Sequence, residues 1–173
     1  SFFKYLVEDE FRADNPTTLL EGPKLGLYLP DTLSFEDVNR IIAVIKNDTD
    51  LGRRNHCMVE VLYGCGLRVS ELIDLKISNI NFKESYLKVE GKGDKSRFVP
   101  MASFTSKLIK DYIRDIRSKY KINKKCEDIL FLNSRGSAMS RVIVFIIIKE
   151  LTEKAGINKK ISPHTFRHSF ATH

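Results

Sequence analysis

The sequence predicts a mainly helical α+β domain carrying one small antiparallel sheet, and three observations carry the prediction. Apolar residues recur at helical spacing in several stretches, most clearly Phe104, Leu108, Ile109, Tyr112, Ile113 and Ile116. Two β-prone runs, Tyr86–Glu90 and residues 97–99, flank the turn Gly91-Lys92-Gly93-Asp94-Lys95. Capping residues and glycines bracket the helical stretches.

In chain order, residues 2–20 open with an amphipathic piece (Phe3, Leu6, Val7) that Asn15-Pro16 breaks. Residues 21–32 contain Gly22, Pro23, Gly26 and Pro30 and have no helical period, as a linker would. Ser34 is an N-cap candidate with Asp37 at the third helical position, and Leu33 and Val38 are spaced for a hydrophobic staple. A second helix is expected over residues 54–63, with Cys57, Met58, Val61 and Leu62 inward and residues 47–50 as the loop before it. Gly64 and Gly66 interrupt the pattern, which resumes as a short helix over residues 69–75. Residues 80–82 offer a third strand, and residues 128–132 a short strand or an extended loop. Ser140 caps an apolar helix over residues 141–155 that ends at Gly156, and Pro163 sits at the first position of a last helix.

Composition bounds the function. The hydrophobic fraction is 42% and the charged fraction 29%, which fits a folded globular chain. Lys and Arg (29) outnumber Asp and Glu (22), giving a formal charge of +7 that favours a polyanionic partner. The three cysteines (Cys57, Cys65, Cys126) form no CxxC pair and read as reduced thiols used as small core residues. The longest apolar run, residues 142–148, is far shorter than the ~20 residues a membrane span needs. Both ends read as interrupted, Ser1 standing in place of Met and His173 falling inside a helical pattern, so a fragment is expected.

Chemistry concentrates at two segments, Gly64-Cys65-Gly66-Leu67-Arg68-Val69-Ser70-Glu71-Leu72 and Ser162-Pro163-His164-Thr165-Phe166-Arg167-His168. At about 100° per residue, His164, Arg167, His168 and Ala171 share one face of the last helix, with Phe166 and Phe170 opposite as core. An arginine and an imidazole one turn apart at a helix N-terminus suit a bound anion, since free N–H groups already point there. Arg68 and Lys92 could complete a phosphate site that needs no metal. Plainer readings exist. Arg68 and Glu71 could pair on one helix, and a basic glycine-rich turn is usually a solvated hairpin. His164 and His168 have zinc-like i, i+4 spacing, but the HExxH glutamate is missing and Arg167 lies between them. The lysines of residues 119–125 read as a solvated face.

Taken in order, Gly-Leu-Arg-x-Ser-Glu-Leu, Gly-Lys-Gly-x-Lys-x-Arg-x-Val-Pro and Ser-Pro-His-x-Phe-Arg-His-Ser-Phe-Ala-Thr-His resemble the tyrosine recombinase (phage integrase) family, most closely its bacterial Xer-type branch. The resemblance spans nearly the whole chain. It implies that residues 1–22 end an N-terminal core-binding domain, that 23–33 form a linker, and that 34–173 are a catalytic domain cut before its nucleophilic tyrosine. It also implies roles. Arg68 and Arg167 would clamp the scissile phosphate, and His164 would assist proton movement at the nucleophile. Lys92 would protonate the departing 5′ oxygen, Glu71 would orient the basic groups, and Lys95 and Arg97 would contact DNA. No metal, other cofactor or ATP is implied. The implied partner is duplex DNA at a specific site, bound by a tetramer spanning two sites, in a cytoplasmic, nucleoid-associated bacterial protein. The six tyrosines (Tyr5, Tyr28, Tyr63, Tyr86, Tyr112, Tyr120) all precede the His-x-x-Arg motif, and none matches the family's catalytic position. A type IB topoisomerase and a non-enzymatic DNA-binding module remain as alternatives.

Overall fold

The computed structural model describes residues 2–17, 32–91, 96–159 and 161–172, and the chain divides into two units, residues 1–30 and 31–173. Lys92 and Lys95, and most of the expected linker, lie outside the described residues, as do the side chains of His164, His168 and Phe170. In the first unit a single helix, α1 (Phe2–Glu8), ends in turns around Glu10 (φ 59°). The break expected at Asn15 is an Asx turn, its side chain accepting the Thr17 N–H at 2.9 Å.

The second unit starts on the expected cap. The Ser34 hydroxyl accepts the Asp37 N–H (3.1 Å) and the Asp37 carboxylate accepts the Ser34 N–H (3.2 Å), which starts α2 (Phe35–Ala43). Leu33 and Val38 are both buried beside it. Helix α3 (Asp50–Gly64) begins four residues before the sequence pattern predicts. Polar residues conceal that start: Thr49 is its N-cap and accepts the Gly52 N–H at 3.0 Å. A Cβ at Gly52 would fall 1.7 Å from the Lys46 carbonyl oxygen, so only glycine fits the first turn.

Then come α4 (Val69–Ile73) and an antiparallel sheet of β1 (Ile80–Asn81), β2 (Tyr86–Glu90) and β3 (Ser96–Pro100), in the order β1-β2-β3. Leu87 pairs with Val99 and Val89 with Arg97 on the buried face, while Lys88 pairs with Phe98 on the exposed one. Helix α5 (Ser103–Asp115) buries Ile109 and Tyr112 but not Phe104, which the spacing had placed inward and which is 53% exposed. Phe104 lies about 140° from Ile109 around the helix, at the edge of the apolar stripe. It leans instead on the His56 ring, 6.4 Å away between centroids.

Residues 128–132 are an extended segment joined to the rest by single bridges, Lys76 to Ile129 and Leu132 to Ala138. Buried Arg117 anchors it from beneath, donating to the carbonyls of Cys126 (3.2 Å), Glu127 (2.6 Å) and Ile129 (3.0 Å). Arg117→Met leaves these acceptors without a donor, so stability should fall by roughly 2–3 kcal/mol in urea unfolding. A loss below about 0.5 kcal/mol would show that solvent satisfies them. Helix α6 (Arg141–Lys154) starts at the Ser140 cap, and α7 (Pro163–Thr172) closes the unit with its proline at the first position. Helix α3 packs on α5 and α7, and α6 packs on α2, α4 and α7, around one core. Among the described residues no helix is long and apolar enough to cross a membrane.

Candidate active site

The site is built on the way α3 stops. Gly66 takes the left-handed conformation (φ 55°), and the chain reverses through two bonds, from the Leu67 N–H to the Leu62 carbonyl (3.1 Å) and from the Gly66 N–H to the Tyr63 carbonyl (3.0 Å). This turn delivers Arg68 to the N-cap of α4. One turn on, the Glu71 carboxylate reaches back and accepts the Arg68 N–H at 2.7 Å and Arg68 Nη1 at 3.0 Å. The local Arg68–Glu71 pair therefore forms, but it is only part of the arrangement.

Two more elements reach the same carboxylate. From β3, Arg97 places Nη1 at 2.7 Å and Nη2 at 2.9 Å from its two oxygens, a fork-to-fork pair. From α7, Arg167 donates Nη1 to the Gly66 carbonyl at 2.9 Å and lies 3.4 Å from Glu71 Oε2. Three guanidiniums on separate elements thus share one carboxylate, and the local charge is positive. The Glu71 side chain is 4% exposed, whereas those of Arg68, Arg97 and Arg167 are 53%, 37% and 33% exposed. Burial alone would raise the Glu71 carboxyl; the hydrogen bonds from Arg97 and Arg68 outweigh it and hold the group down at about 2. Burial, then the field of Arg68, push the Arg167 guanidinium below its usual range, and Glu71 partly offsets them. Among the described residues Nη2 of Arg68 and of Arg167 has no partner, and Arg68, Ser70, Glu71, Gly91 and Arg97 line an adjoining cleft. Such an arrangement suits a tetrahedral or pentacoordinate phosphoryl group, whose charge is spread over several oxygens.

Helix α7 is fixed at its start and its middle. Thr165 Oγ1 accepts the Ser162 N–H at 3.1 Å. Buried Ser169 donates to the Thr165 carbonyl (2.8 Å) and accepts the Leu33 N–H (2.9 Å), tying α7 to the start of the second unit. Nothing in the sequence local to Ser169 marks this partner 136 positions away. His164 is the second residue of α7, three before Arg167, so its backbone lies one turn nearer the helix start on the same face. Arg97, expected to contact DNA, directs both its terminal nitrogens at Glu71.

The other candidates have structural places. Cys57 and Cys65 are buried, and burial raises both thiols, Cys65 to about 12. The buried Tyr112 hydroxyl accepts the Leu132 N–H at 3.3 Å, and its ring stacks on Phe131. Lys119, in the lysine-rich stretch, pairs with Asp50 at the surface.

A pair of arginines backed by a shared buried carboxylate thus stands on a helical domain with a small antiparallel sheet. The sequence matches the phage integrase family over residues 31–173, and the chain belongs to that family. Along its whole length it is 37% identical to the tyrosine recombinase XerD of Listeria innocua serovar 6a, covering 58% of that protein. Its fold is similar to the crystal structure of XerA recombinase (TM-score 0.73, 36% identity), over 88% of this chain and 52% of that one. It is also similar to XerH site-specific recombinase bound to palindromic difH substrate in a post-cleavage complex (TM-score 0.75, 27% identity), over 87% of this chain and 44% of that one. The chain spans about 58% of the length of the XerD relative.

Proposed function

We propose that the whole protein is a site-specific DNA recombinase, and that this chain supplies the phosphate-binding half of its active site. The observation that carries the reading is the convergence of Arg68 and Arg167 on Glu71 from two helices, with a donor nitrogen of each left over for a phosphate. A tyrosine contributed from beyond His173 attacks the scissile phosphorus, forming a 3′-phosphotyrosine while the 5′ oxygen departs. Lys92 gives that oxygen its proton, and His164 assists proton movement at the tyrosine. A 5′ hydroxyl of the partner strand then attacks the same phosphorus and releases the tyrosine. Each step exchanges one phosphodiester for another, so bond energy is retained and the reaction needs neither ATP nor a metal. Lys95 adds a phosphate contact.

The remaining organisation follows the same reading: residues 1–22 close a core-binding domain, 23–33 link it to the catalytic domain at 34–173, and four subunits assemble on two duplex sites in the bacterial cytoplasm. Duplex DNA as the partner draws support from the DNA-bound XerH neighbour and from the charge of +7. The test is strand exchange between two duplexes by the natural-length protein. Relaxation of supercoiled DNA without exchange would instead indicate a topoisomerase. The 173-residue chain alone should bind duplex DNA weakly, losing affinity steeply with salt as each neutralised phosphate releases counterions. Fluorescence anisotropy at two salt concentrations reads this directly, and salt-independent binding would contradict it.

A further inference from the structure

Arg97 occupies the inward face of β3, level with Val89, in line with the buried Leu87–Val99 pair. It is the one polar residue on that face of the strand, and its fork closes on a carboxylate that is itself almost wholly buried. Both terminal nitrogens of this guanidinium meet the same carboxylate, a two-point geometry that fixes the side chain in place. Its place in the hairpin gives that anchor a use. The ladder has a single further pair beyond Val89 and Arg97, namely Glu90 with Ser96, and Gly91 follows it. At about 3.3 Å per residue, Gly91 lies within roughly 7 Å of the point where Arg97 is fixed, and Lys92 is the next residue in the chain. Phe98 and Lys88 on the opposite face are exposed, and the Phe98 ring meets Tyr86 edge-on within the same hairpin.

We propose that Arg97 is a positioning residue: through Glu71 it locks the hairpin carrying Lys92 to the two phosphate-binding arginines. The proposal rests on the reading of Lys92 as the general acid. In this arrangement Glu71 is the common reference for three elements, α4, β3 and α7. Arg97 aligns the proton donor with the phosphate; it does not hold the DNA.

The experiment uses the natural-length protein, at saturating DNA, with a normal substrate and one in which sulfur replaces the bridging 5′ oxygen. Sulfur leaves without a proton, so it removes the need for the acid. Arg97→Ala should slow cleavage of the normal substrate roughly 10²-fold, the effect of about 1 Å of misplacement. The sulfur substrate should restore most of that rate, and DNA affinity should change by less than about threefold. Arg97→Lys, which offers a point charge and no fork, should behave nearly as Arg97→Ala does, and it carries the test if the alanine variant does not fold. Weakened binding with a salt slope smaller by about 1 and unchanged chemistry would make Arg97 a phosphate contact and overturn the proposal. Equal slowing on both substrates would also overturn it, because the residue would then act on the arginine clamp. Lys92→Ala is the control. If sulfur rescues Lys92→Ala and not Arg97→Ala, only the positioning role fails. If sulfur does not rescue Lys92→Ala, the general-acid reading fails and the positioning role falls with it.

Discussion

Arg167→Ala in the natural-length protein should lower the rate of DNA cleavage about 10³-fold or more at saturating substrate. Removing one preorganised donor from a site of developing negative charge costs about 10²–10³ in rate. An arginine that meets phosphoryl charge can be worth about 10³–10⁵. Arg167 is held by the Gly66 carbonyl at 2.9 Å and lies 3.4 Å from Glu71, and its side chain is 33% exposed. Lysine cannot reproduce both contacts, because one ammonium would have to serve the carbonyl and the phosphate together. Arg167→Lys should therefore recover little of the rate. A loss below about tenfold in single-turnover cleavage would mean that Arg167 is a structural tie between α7 and the α3–α4 turn and nothing more.

The second large effect falls on stability. Glu71 has a folded-state value near 2 against an ordinary 4.5, so its charged form is favoured by folding. That contribution is fully present above about pH 4.5 and disappears as the pH falls towards 2; it amounts to about 3 kcal/mol at most. Glu71→Gln leaves the guanidiniums of Arg68, Arg97 and Arg167 around a neutral amide. The arginines left behind are a third to a half exposed, so solvent screens them and the loss should be about 1–3 kcal/mol. The variant should unfold at clearly lower urea at pH 7, and the gap from the parent should narrow at pH 3. Equal stability at pH 7 would show that the arginines lose nothing when the carboxylate charge is removed.

Much of this was legible in the sequence, and for identifiable reasons. The Ser34–Asp37 capping box, the Ser140 cap, Pro163 at a first helical position and Gly66 after α3 are local signals, and the helices begin or end where they sit. The order of the three motifs pointed to the family. The start of α3 was hidden because Asp50 and Gly52 carry no apolar period, the turn being made by Thr49 and by a backbone approach that only glycine allows. Phe104 was misplaced because periodicity reports a stripe without its edge. The partnership of Arg97 was available in principle. Val99 is an inward residue, and a strand's period of two puts Arg97 on the same face. What no pattern could supply was the carboxylate it would meet there, 26 positions earlier on another element.

Incubating the natural-length protein with a nicked suicide duplex in EDTA tests most directly whether Arg68 and Arg167 hold a phosphate for attack by a tyrosine without help from a metal. A covalent 3′-phosphotyrosine adduct is expected, with the same yield in EDTA as in magnesium and none from the 173-residue chain alone. An adduct formed only with a divalent metal, or one formed by the 173-residue chain, would contradict it.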